Sequence, residues 1–528
     1  MTRTHDVAVV GAGPAGLAAA VEAAEAGLDV ALVDGAAQPG GQYWRHYDER
    51  HARPDDRAGH HGWPVFTGLR ERLRTARAAG RIRYLPGRQV YLVTRDEAGT
   101  FTLRTTPSGA VGTPESISAS GAVGTPESTS ASGAGEAAKT FAASSPSGAS
   151  APDAAGQVTA RALILCTGGY DRQLPVPGWD LPGVMTAGGV QALLKGHRVL
   201  AGRRAVVAGT GPFLLPVATG LARAGASVEA VAEANGTLGW LRDPVGAASV
   251  PGKAVEAAQY AALMARHRIP YRTRTVVTRI LGQDRVEAVR ISRVDRDGRP
   301  AGPVKEIAAD LVALGWGFTP SLELALMLGA DTRKDVDGSL VVAVDGFQRS
   351  SVEGVYVAGE ATGVGGAVLA TQEGRLSALA LARSLGRPAV PGLMGRLRAA
   401  IGRGRRFAAA MHRTYPVPSA WTEWLEERTL VCRCEEVSYG DLRRAHTDLC
   451  AHDPRTLKML ARPGMGWCQG RVCGFATAGI AACLNRRETT AEDLRPLSTR
   501  SLAAPVTLGE LAALDRSRTS PDDPHHDQ

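Results

Sequence analysis

The residues whose types and spacing could do chemistry are concentrated near the C-terminus, where six of the seven cysteines lie in the last fifth of 528 residues. Cys432 and Cys434 form one tight pair, and Cys468 and Cys473 form a second pair in the glycine-rich stretch GMGWCQGRVCG (464–474). Helical patterning between the pairs could bring four thiolates together, as a four-sulfur metal site requires. Seven cysteines are too sparse for a disulfide scaffold. We predict these four as ligands of an iron–sulfur cluster or of zinc.

The other cysteines and the two glutamates beside the first pair have less reactive interpretations. Cys166 lies in an apolar strand and is predicted to be an inert core thiol. Cys450 and Cys483 fall in helical patterns and are predicted to be core residues. Glu435 and Glu436 follow the first pair directly, and we expect them to start or cap a helix.

A nucleotide-binding pattern opens the chain in DVAVVGAGPAGLAAAVEAAEAGLDVALVD (6–34), which reads as strand, helix and strand. Its three glycines allow a tight turn, backbone approach to a pyrophosphate, and close packing of the helix on the strand. An acid ends the second strand, where it can hold ribose hydroxyls. The predicted contacts to the dinucleotide are Gly11, Gly13, Pro14, Ala15, Gly16 and Asp34.

A second such pattern lies in RRAVVAGTGPFLLPVATGLARAGASVEAVAE (203–233), with Gly209 and Gly211 in the turn and Glu233 ending the next strand. Leu214 occupies the third glycine position, where close packing is normally needed, and this weakens the case for ordinary NAD(P)H binding. NAD(P), ATP or another adenine nucleotide therefore remain open as ligands of this second site.

Further motifs resemble those of the two-dinucleotide-binding flavoprotein superfamily, which includes the pyridine nucleotide–disulfide reductases. They are PGGQYW (39–44), ALILCTGGYDRQLPVPGW (162–179) and GVYVAGEATGVGGAVLATQEGR (354–375). The resemblance implies FAD at the first site, with Glu360 in place of the usual aspartate that contacts the ribityl chain. The additional FAD contacts that it implies are Gly41, Gln42, Thr167, Gly168, Gly359, Glu360, Gly366 and Ala367. No cysteine precedes Cys166 and none lies between Cys166 and Cys432, so the resemblance does not extend to disulfide reduction.

The C-terminal cysteine motif resembles the 2Fe–2S domain of the bacterioferritin-associated ferredoxin type. The resemblance is to the version fused to flavoprotein subunits of opine oxidases, hydrogen cyanide synthase and D-hydroxyproline dehydrogenase. It implies an electron-transferring subunit with FAD and a 2Fe–2S cluster that acts in the oxidation of an amino acid or opine. The implied partner subunits are an amino-acid-oxidase-like flavoprotein and a small ferredoxin-like protein. The alternatives are a stand-alone NAD(P)H-dependent reductase and a flavoprotein with a zinc-stabilised docking domain, and no catalytic base can be named.

These motifs predict an α/β chain in which a FAD-binding Rossmann-like domain is interrupted by a second Rossmann-like domain and followed by a small, mostly helical iron–sulfur domain. Residues 107–156 contain a tandem duplication rich in Ser, Gly and Ala and are predicted to be a flexible insert. The predicted divisions are 1–195 and 335–385 for the FAD domain, 196–334 for the second domain, 386–429 for a linker, 430–500 for the cysteine domain, and 501–528 for a largely disordered tail.

Composition narrows the remaining possibilities. The net charge of +9 is spread along the chain without a basic face that carries interleaved aromatics, so a nucleic-acid role is not expected. No run approaches the roughly 20 apolar residues that span a membrane, and we expect a cytoplasmic protein without a signal peptide. The irregularly spaced histidines in 46–63 predict a polar loop over the flavin or at an interface rather than a metal site; they are His46, His51, His60 and His61.

Overall fold

A computed structural model describes residues 3–49, 60–108, 156–388 and 390–516. The helices are α1 Pro14–Glu25, α2 Trp63–Ala78, α3 Ala187–His197, α4 Leu214–Arg223, α5 Pro244–Ala248, α6 Gly252–Arg266, α7 Glu323–Met327, α8 Ala367–Ser384, α9 Leu393–Thr414, α10 Tyr439–Asp448, α11 Pro454–Ala461, α12 Gly474–Leu484, α13 Ala491–Ser498 and α14 Leu508–Arg516.

The strands are β1 Thr4–Val10, β2 Val30–Asp34, β3 Ile82–Pro86, β4 Arg88–Arg95, β5 Phe101–Pro107, β6 Gln157–Leu165, β7 Gly169–Asp171, β8 Val184–Thr186, β9 Arg204–Gly209, β10 Ser227–Glu233, β11 Tyr271–Thr273, β12 Thr275–Leu281, β13 Ala288–Arg293, β14 Lys305–Ala308, β15 Leu311–Gly315, β16 Phe318–Pro320, β17 Thr332–Lys334, β18 Leu340–Val342, β19 Val355–Val357, β20 Leu430–Cys432 and β21 Val437–Ser438.

The first sheet has the order β3-β2-β1-β6-β5-β4, and β19 also pairs with β6. The strands β1, β2, β3, β6 and β19 run parallel, whereas β4 and β5 are antiparallel. The alanine-rich α1 is almost wholly buried, and α8 lies so close to it that a Cβ on Gly374 would come within 2.0 Å of the Ala15 carbonyl oxygen. Small side chains on both helices are therefore what allows them to pack together.

The second sheet has the parallel order β11-β10-β9-β15-β8, with an antiparallel β12-β13-β14 sheet beside it. Its edge strand β8 lies within residues 1–195, which the sequence division assigns to the FAD domain. The α/β Rossmann-like fold is confirmed, with two parallel sheets that each carry a glycine turn after the first strand.

The segment 386–429, predicted to be a linker, contains the 22-residue helix α9. Leu397, Ile401 and Ala408 of α9 are buried, and the first two share a hydrophobic cluster with Leu369 and Leu376 of α8. The segment therefore contributes its own packing to the body of the protein.

The cysteine-rich part, β20 to α13, is mostly helical and shares one hydrophobic core with the second nucleotide domain. The rings of Trp316, which follows β15, and Trp424 lie 5.5 Å apart between centroids, and the Trp179 indole N–H donates to the Leu430 carbonyl at 2.6 Å. These contacts fix the cysteine-rich part against the nucleotide-binding body.

The predicted insert lies outside the described residues except at its ends, where β5 and β6 pair as antiparallel strands. Within the predicted tail, Leu508–Arg516 form α14, and Glu510 accepts a hydrogen bond from Thr106 at 2.7 Å. None of the helices in the described ranges is long and apolar enough to cross a membrane.

Candidate cofactor sites

The first glycine turn lies at the carboxyl end of β1, where the backbone is packed too tightly for any side chain. A Cβ on Gly11 would lie 2.3 Å from the Cys166 carbonyl oxygen, and a Cβ on Gly16 would lie 1.7 Å from the Gly11 carbonyl oxygen. Gly13 precedes α1 and has Gly41 of the following loop beside it, since a Cβ on Gly41 would lie 2.8 Å from the Gly13 Cα. The residues predicted on either side of a pyrophosphate are therefore brought together.

Asp34 ends β2 beside this turn, as expected of an acid that holds ribose hydroxyls. Its Oδ2 atom is buried and has no hydrogen-bond partner within the described residues. Burial raises the pKa of Asp34 from 3.8 to about 6, although backbone N–H groups, that of Ala12 foremost, act in the opposite direction. A buried carboxylate oxygen without a partner fits a ligand that brings hydroxyl donors, and the first site therefore fits FAD.

The remaining flavin contacts implied by the resemblance lie at the same edge of the sheet. Gly359 approaches α1, because its Cβ would lie 3.1 Å from the Ala15 Cβ. Thr167 donates to the Ser321 carbonyl at 2.6 Å, and Gly168 next to it has a φ of 68°. Gly366 precedes Ala367, the first residue of α8, so the positive end of this helix dipole opens on the same region.

Glu360 has a different environment from the one expected of a ribityl contact. Its carboxylate accepts the backbone N–H groups of Gly365 at 3.2 Å and Gly366 at 3.1 Å, and burial raises its pKa from 4.5 to about 7. The carboxylate therefore holds the turn that leads into α8. Gln42, which is exposed, accepts a hydrogen bond from Arg45 at 3.0 Å.

The second glycine turn follows β9, and Gly209 is as closely packed as its counterpart, with its Cβ position 1.8 Å from the Gly315 carbonyl oxygen. Leu214 is fully buried at the start of α4, where its side chain lies 3.0 Å from the Cβ position of Gly315. The glycine on the neighbouring strand thus provides the room for this bulky residue. Glu233 is fully buried and accepts the Gly211 N–H at 2.8 Å.

The four predicted metal ligands come together as two pairs of thiols. The Cys473 thiol donates a hydrogen bond to Cys432, and Cys434 is hydrogen bonded to Cys468. Cys432 and Cys473 are buried, Cys468 is half-buried and Cys434 is exposed. Among the described residues, no group of three or more His, Cys, Asp or Glu side chains is arranged to hold a metal ion.

Backbone and glycine geometry support the sulfur atoms. The Gly464 N–H donates to the Cys432 sulfur at 3.4 Å, and a Cβ on Gly466 would lie 2.5 Å from the Cys434 Cβ. The hydrogen bond from Cys473 and the nearby backbone N–H groups lower the pKa of Cys432 from 9.0 to about 6. A thiolate is therefore favoured at Cys432 near neutral pH, as ligation to iron or zinc requires.

Three predictions about neighbouring residues are wrong. Cys450 and Cys483 are exposed rather than part of the core, because Cys450 lies beyond the end of α10 in a left-handed conformation and Cys483 lies on the outer side of α12. Glu435 and Glu436 do not start a helix. They lie in the turn between β20 and β21, where Glu435 pairs with Arg462 at 3.2 Å.

The cap of α10 is formed instead by Ser438 and Asp441, each of which accepts the other's backbone N–H in a capping box. Cys166 is buried as predicted, and burial raises its pKa. The expected interface role of the histidine loop is met by His61, whose ring lies 2.7 Å from the Tyr260 hydroxyl of the second nucleotide domain. His51 lies outside the described residues.

A buried ion cluster connects the cysteine loop to the nucleotide-binding body, and no sequence motif indicated it. Glu323 of α7 is 6% exposed, and its Oε1 lies 2.9 Å from Arg471 and 3.0 Å from Arg500. Arg471 lies between Cys468 and Cys473, and Arg500 donates to the Gln469 carbonyl at 2.6 Å. Arg500 also hydrogen bonds the side chain of Tyr170, two residues after Gly168.

The chain from residue 5 to residue 374 matches the family described as pyridine nucleotide-disulphide oxidoreductase. The chain belongs to this family. Membership confirms the predicted oxidoreductase class and indicates sites of the FAD and NAD(P) type, consistent with the two glycine turns.

Two relatives match nearly the full chain, and their names confirm the resemblance to components of multi-subunit oxidases. The family member is 31% identical to an opine oxidase subunit of Rhizobium meliloti, over 97% of this chain and 88% of that relative. It is 27% identical to hydrogen cyanide synthase subunit HcnB of Pseudomonas protegens, over 91% of this chain and 92% of the relative. Among solved structures, L-proline dehydrogenase from P. horikoshii has the same fold, with a TM-score of 0.61 and 19% identity over 97% of this chain and 80% of that one.

Proposed function

We propose that this chain is the electron-transferring subunit, dependent on FAD and a 2Fe–2S cluster, of a multi-subunit dehydrogenase or oxidase of amino acids or opines. The proposed partners are an amino-acid-oxidase-like flavoprotein that oxidises the substrate's C–N bond and a small ferredoxin-like protein. The relatives named as subunits of opine oxidase and hydrogen cyanide synthase support the class of complex. The observation that carries the proposal is the meeting of four cysteines in two pairs on a loop anchored to the nucleotide-binding body.

The pairing favours a two-iron cluster over zinc. Zinc requires four ligands around one point at about 2.3 Å for sulfur. In a 2Fe–2S cluster each iron takes two protein ligands, so two pairs of thiolates are the set it needs. Cys432 with Cys473 and Cys434 with Cys468 supply two such pairs.

The residues of the chain would hold the cofactors without taking part in bond making. Gly11, Gly13 and Asp34 would bind the pyrophosphate and ribose of FAD, and the N-terminus of α8 would stabilise negative charge on the flavin. When bound, FAD accepts electrons in pairs and the cluster passes them singly, which is the chemistry an electron-transferring subunit requires. Glu323, Arg471 and Arg500 would keep the cluster loop at a fixed position relative to the flavin domain.

Iron, acid-labile sulfide and FAD analysis of anaerobically purified protein tests the proposal, together with electron paramagnetic resonance after reduction. We expect two irons and two sulfides per FAD in the wild type, as the cluster's composition demands, and loss of both in Cys434→Ser and Cys468→Ser. Cys450→Ser is the matched control, because Cys450 is exposed and outside the two pairs. Zinc without iron in the wild type, or an equal loss of iron in Cys450→Ser, would overturn the cluster.

A further inference from the structure

The second nucleotide site has a neighbour that its counterpart lacks, namely the two residues that follow α9. The Tyr415 carbonyl accepts a hydrogen bond from the Thr210 hydroxyl at 3.3 Å, and the Pro416 carbonyl accepts one from the Asn235 side-chain amide at 2.8 Å. A Cβ on Gly211 would lie 3.9 Å from the Tyr415 Cβ. The segment Tyr415–Pro416 therefore lies against the glycine turn after β9 and against the end of β10.

The groups that should face a nucleotide are bonded to one another here. In the dinucleotide-binding fold, the N–H groups of the glycine turn face the pyrophosphate, and the acid at the end of the second strand holds the ribose. Glu233 instead accepts the N–H of Gly211 at 2.8 Å through Oε2, and the N–H of Asn235 at 2.9 Å and the hydroxyl of Thr210 at 3.1 Å through Oε1. At the first site, by contrast, Asp34 keeps a buried oxygen without a partner among the described residues.

Aromatic and charged contacts hold the segment in place. The Trp240 ring stacks on Phe407 of α9 at 5.5 Å between centroids, and the Trp240 N–H donates to the Tyr415 hydroxyl at 3.3 Å. Arg413 pairs with Asp243 at 2.9 Å. Helix α9 is thus fastened to the second nucleotide domain at the end where Tyr415 begins.

We propose that the segment Tyr415–Pro416 closes the second nucleotide site, so that an adenine nucleotide reaches Gly211 and Glu233 only after this segment has moved away. The residues as arranged do not fit a dinucleotide, because the acid and the turn are already satisfied by the protein. The resting chain therefore does not take electrons from NAD(P)H, and electrons must enter from the substrate side. The same helix that carries the segment contacts the flavin-motif turn, since Arg405 donates to the Gly363 carbonyl at 2.7 Å. The proposal goes beyond the function proposed above and does not depend on the cysteine cluster.

Binding of NADH, NADPH and ATP to the full-length, FAD-loaded protein, measured by isothermal titration calorimetry, tests this inference. Asn235→Ala removes the bond to Pro416, and Trp240→Ala removes the contacts to Phe407 and Tyr415. We expect each variant to bind at least one of the three nucleotides about 10-fold more tightly than the wild type, because the closed state lowers the apparent affinity by its share of the population. Arg299→Ala, on the exposed far side of the same domain, should leave all three affinities unchanged.

Circular dichroism and FAD content establish that the variants are folded. Tyr415→Phe removes only the hydroxyl that Trp240 bonds, and we expect from it a smaller gain in affinity in the same direction, should Trp240→Ala not fold. Unchanged affinities for all three nucleotides in the folded variants, whether binding is tight or undetectable, would overturn the proposal. Rapid reduction of the flavin by NADH or NADPH in the wild type would overturn it as well.

Discussion

Glu323, at the start of α7, forms a buried salt bridge with Arg471, which lies between two of the proposed cluster ligands, at 2.9 Å between Oε1 and Nη2. Arg500 approaches the same oxygen at 3.0 Å, and its guanidinium is 5% exposed. One carboxylate thus neutralises two arginines that belong to the cysteine-rich part. Its position in the nucleotide-binding body makes it the main electrostatic anchor of the cysteine loop.

Glu323→Gln should destabilise the protein strongly. The substitution leaves two mostly buried arginines without a counter-charge, and breaking a buried pair in this way costs about 3 to 5 kcal/mol. Urea unfolding followed by tryptophan fluorescence measures the free energy of unfolding. Glu423→Gln is the matched control, because its pair with Arg299 joins the same two parts of the chain but both side chains are 51% exposed. We expect the control to cost about 0 to 1 kcal/mol. Equal losses in the two variants would contradict the anchoring role of Glu323.

Gly374→Ala should prevent the close packing of α8 on α1 and, with it, retention of FAD. The added Cβ would lie 2.0 Å from the Ala15 carbonyl oxygen, which is backbone and cannot rotate away. We expect a loss of about 3 kcal/mol or more in the free energy of unfolding, together with purification without flavin colour. Gly402→Ala, in the interior of α9 with no atom within 4 Å of the added Cβ, should instead stabilise the protein by about 0.5 to 1 kcal/mol. Flavin bound normally to Gly374→Ala would show that this contact can relax.

Arg405→Met should loosen α9 from the body of the protein. Glu373 of α8 is fully buried, and Arg405 approaches it at 2.5 Å between Nη2 and Oε1 while also donating to Thr362 and Gly363. Removing the guanidinium leaves Glu373 charged and unpaired, at a cost of about 3 to 5 kcal/mol. Arg398→Met, on the same helix, loses only an exposed stacking contact with Phe347, worth about 0.5 to 1 kcal/mol. Thermal unfolding of both variants distinguishes the two, and similar shifts would argue against a special role for Arg405.

Much of the first site could be predicted from the sequence because its contacts are local. Gly11 and Gly16 lie within one strand–turn–helix unit, so their spacing alone implies the close approach that the structure shows. The cysteine pairs were predictable for the same reason, since each pair is defined by a short spacing. The capping box of Ser438 and Asp441 was also readable as S-x-x-D, and it gives the start of α10 that the two glutamates do not.

Contacts between distant parts of the chain could not be predicted in this way. Nothing near Glu323 in the sequence indicates Arg471, because the pair depends on how the cysteine-rich part docks. The position of Tyr415 against Gly211 depends on the docking of α9, whose arginine- and glycine-rich sequence suggests a linker when taken alone. Helical periodicity likewise gave no reason to expect that Cys483 lies on the outer side of α12.

FAD binding should become tighter as the pH rises through about 6, because of Asp34. Burial raises the pKa of this carboxyl from 3.8 to about 6, so the folded protein without FAD holds a proton there between those values, and its stability falls as the pH rises across that window. Ribose hydroxyls that donate to Oδ2 would favour the charged form, so FAD binding should release this proton. Below pH 6 the affinity should therefore increase by up to about 10-fold per pH unit and then level off. Titration of the apoprotein with FAD between about pH 5 and 8 measures this, with Asp34→Asn expected to give a weaker and flatter profile and Glu97→Gln, an exposed carboxyl, the wild-type profile. A wild-type affinity independent of pH would show that Asp34 does not bind the ribose.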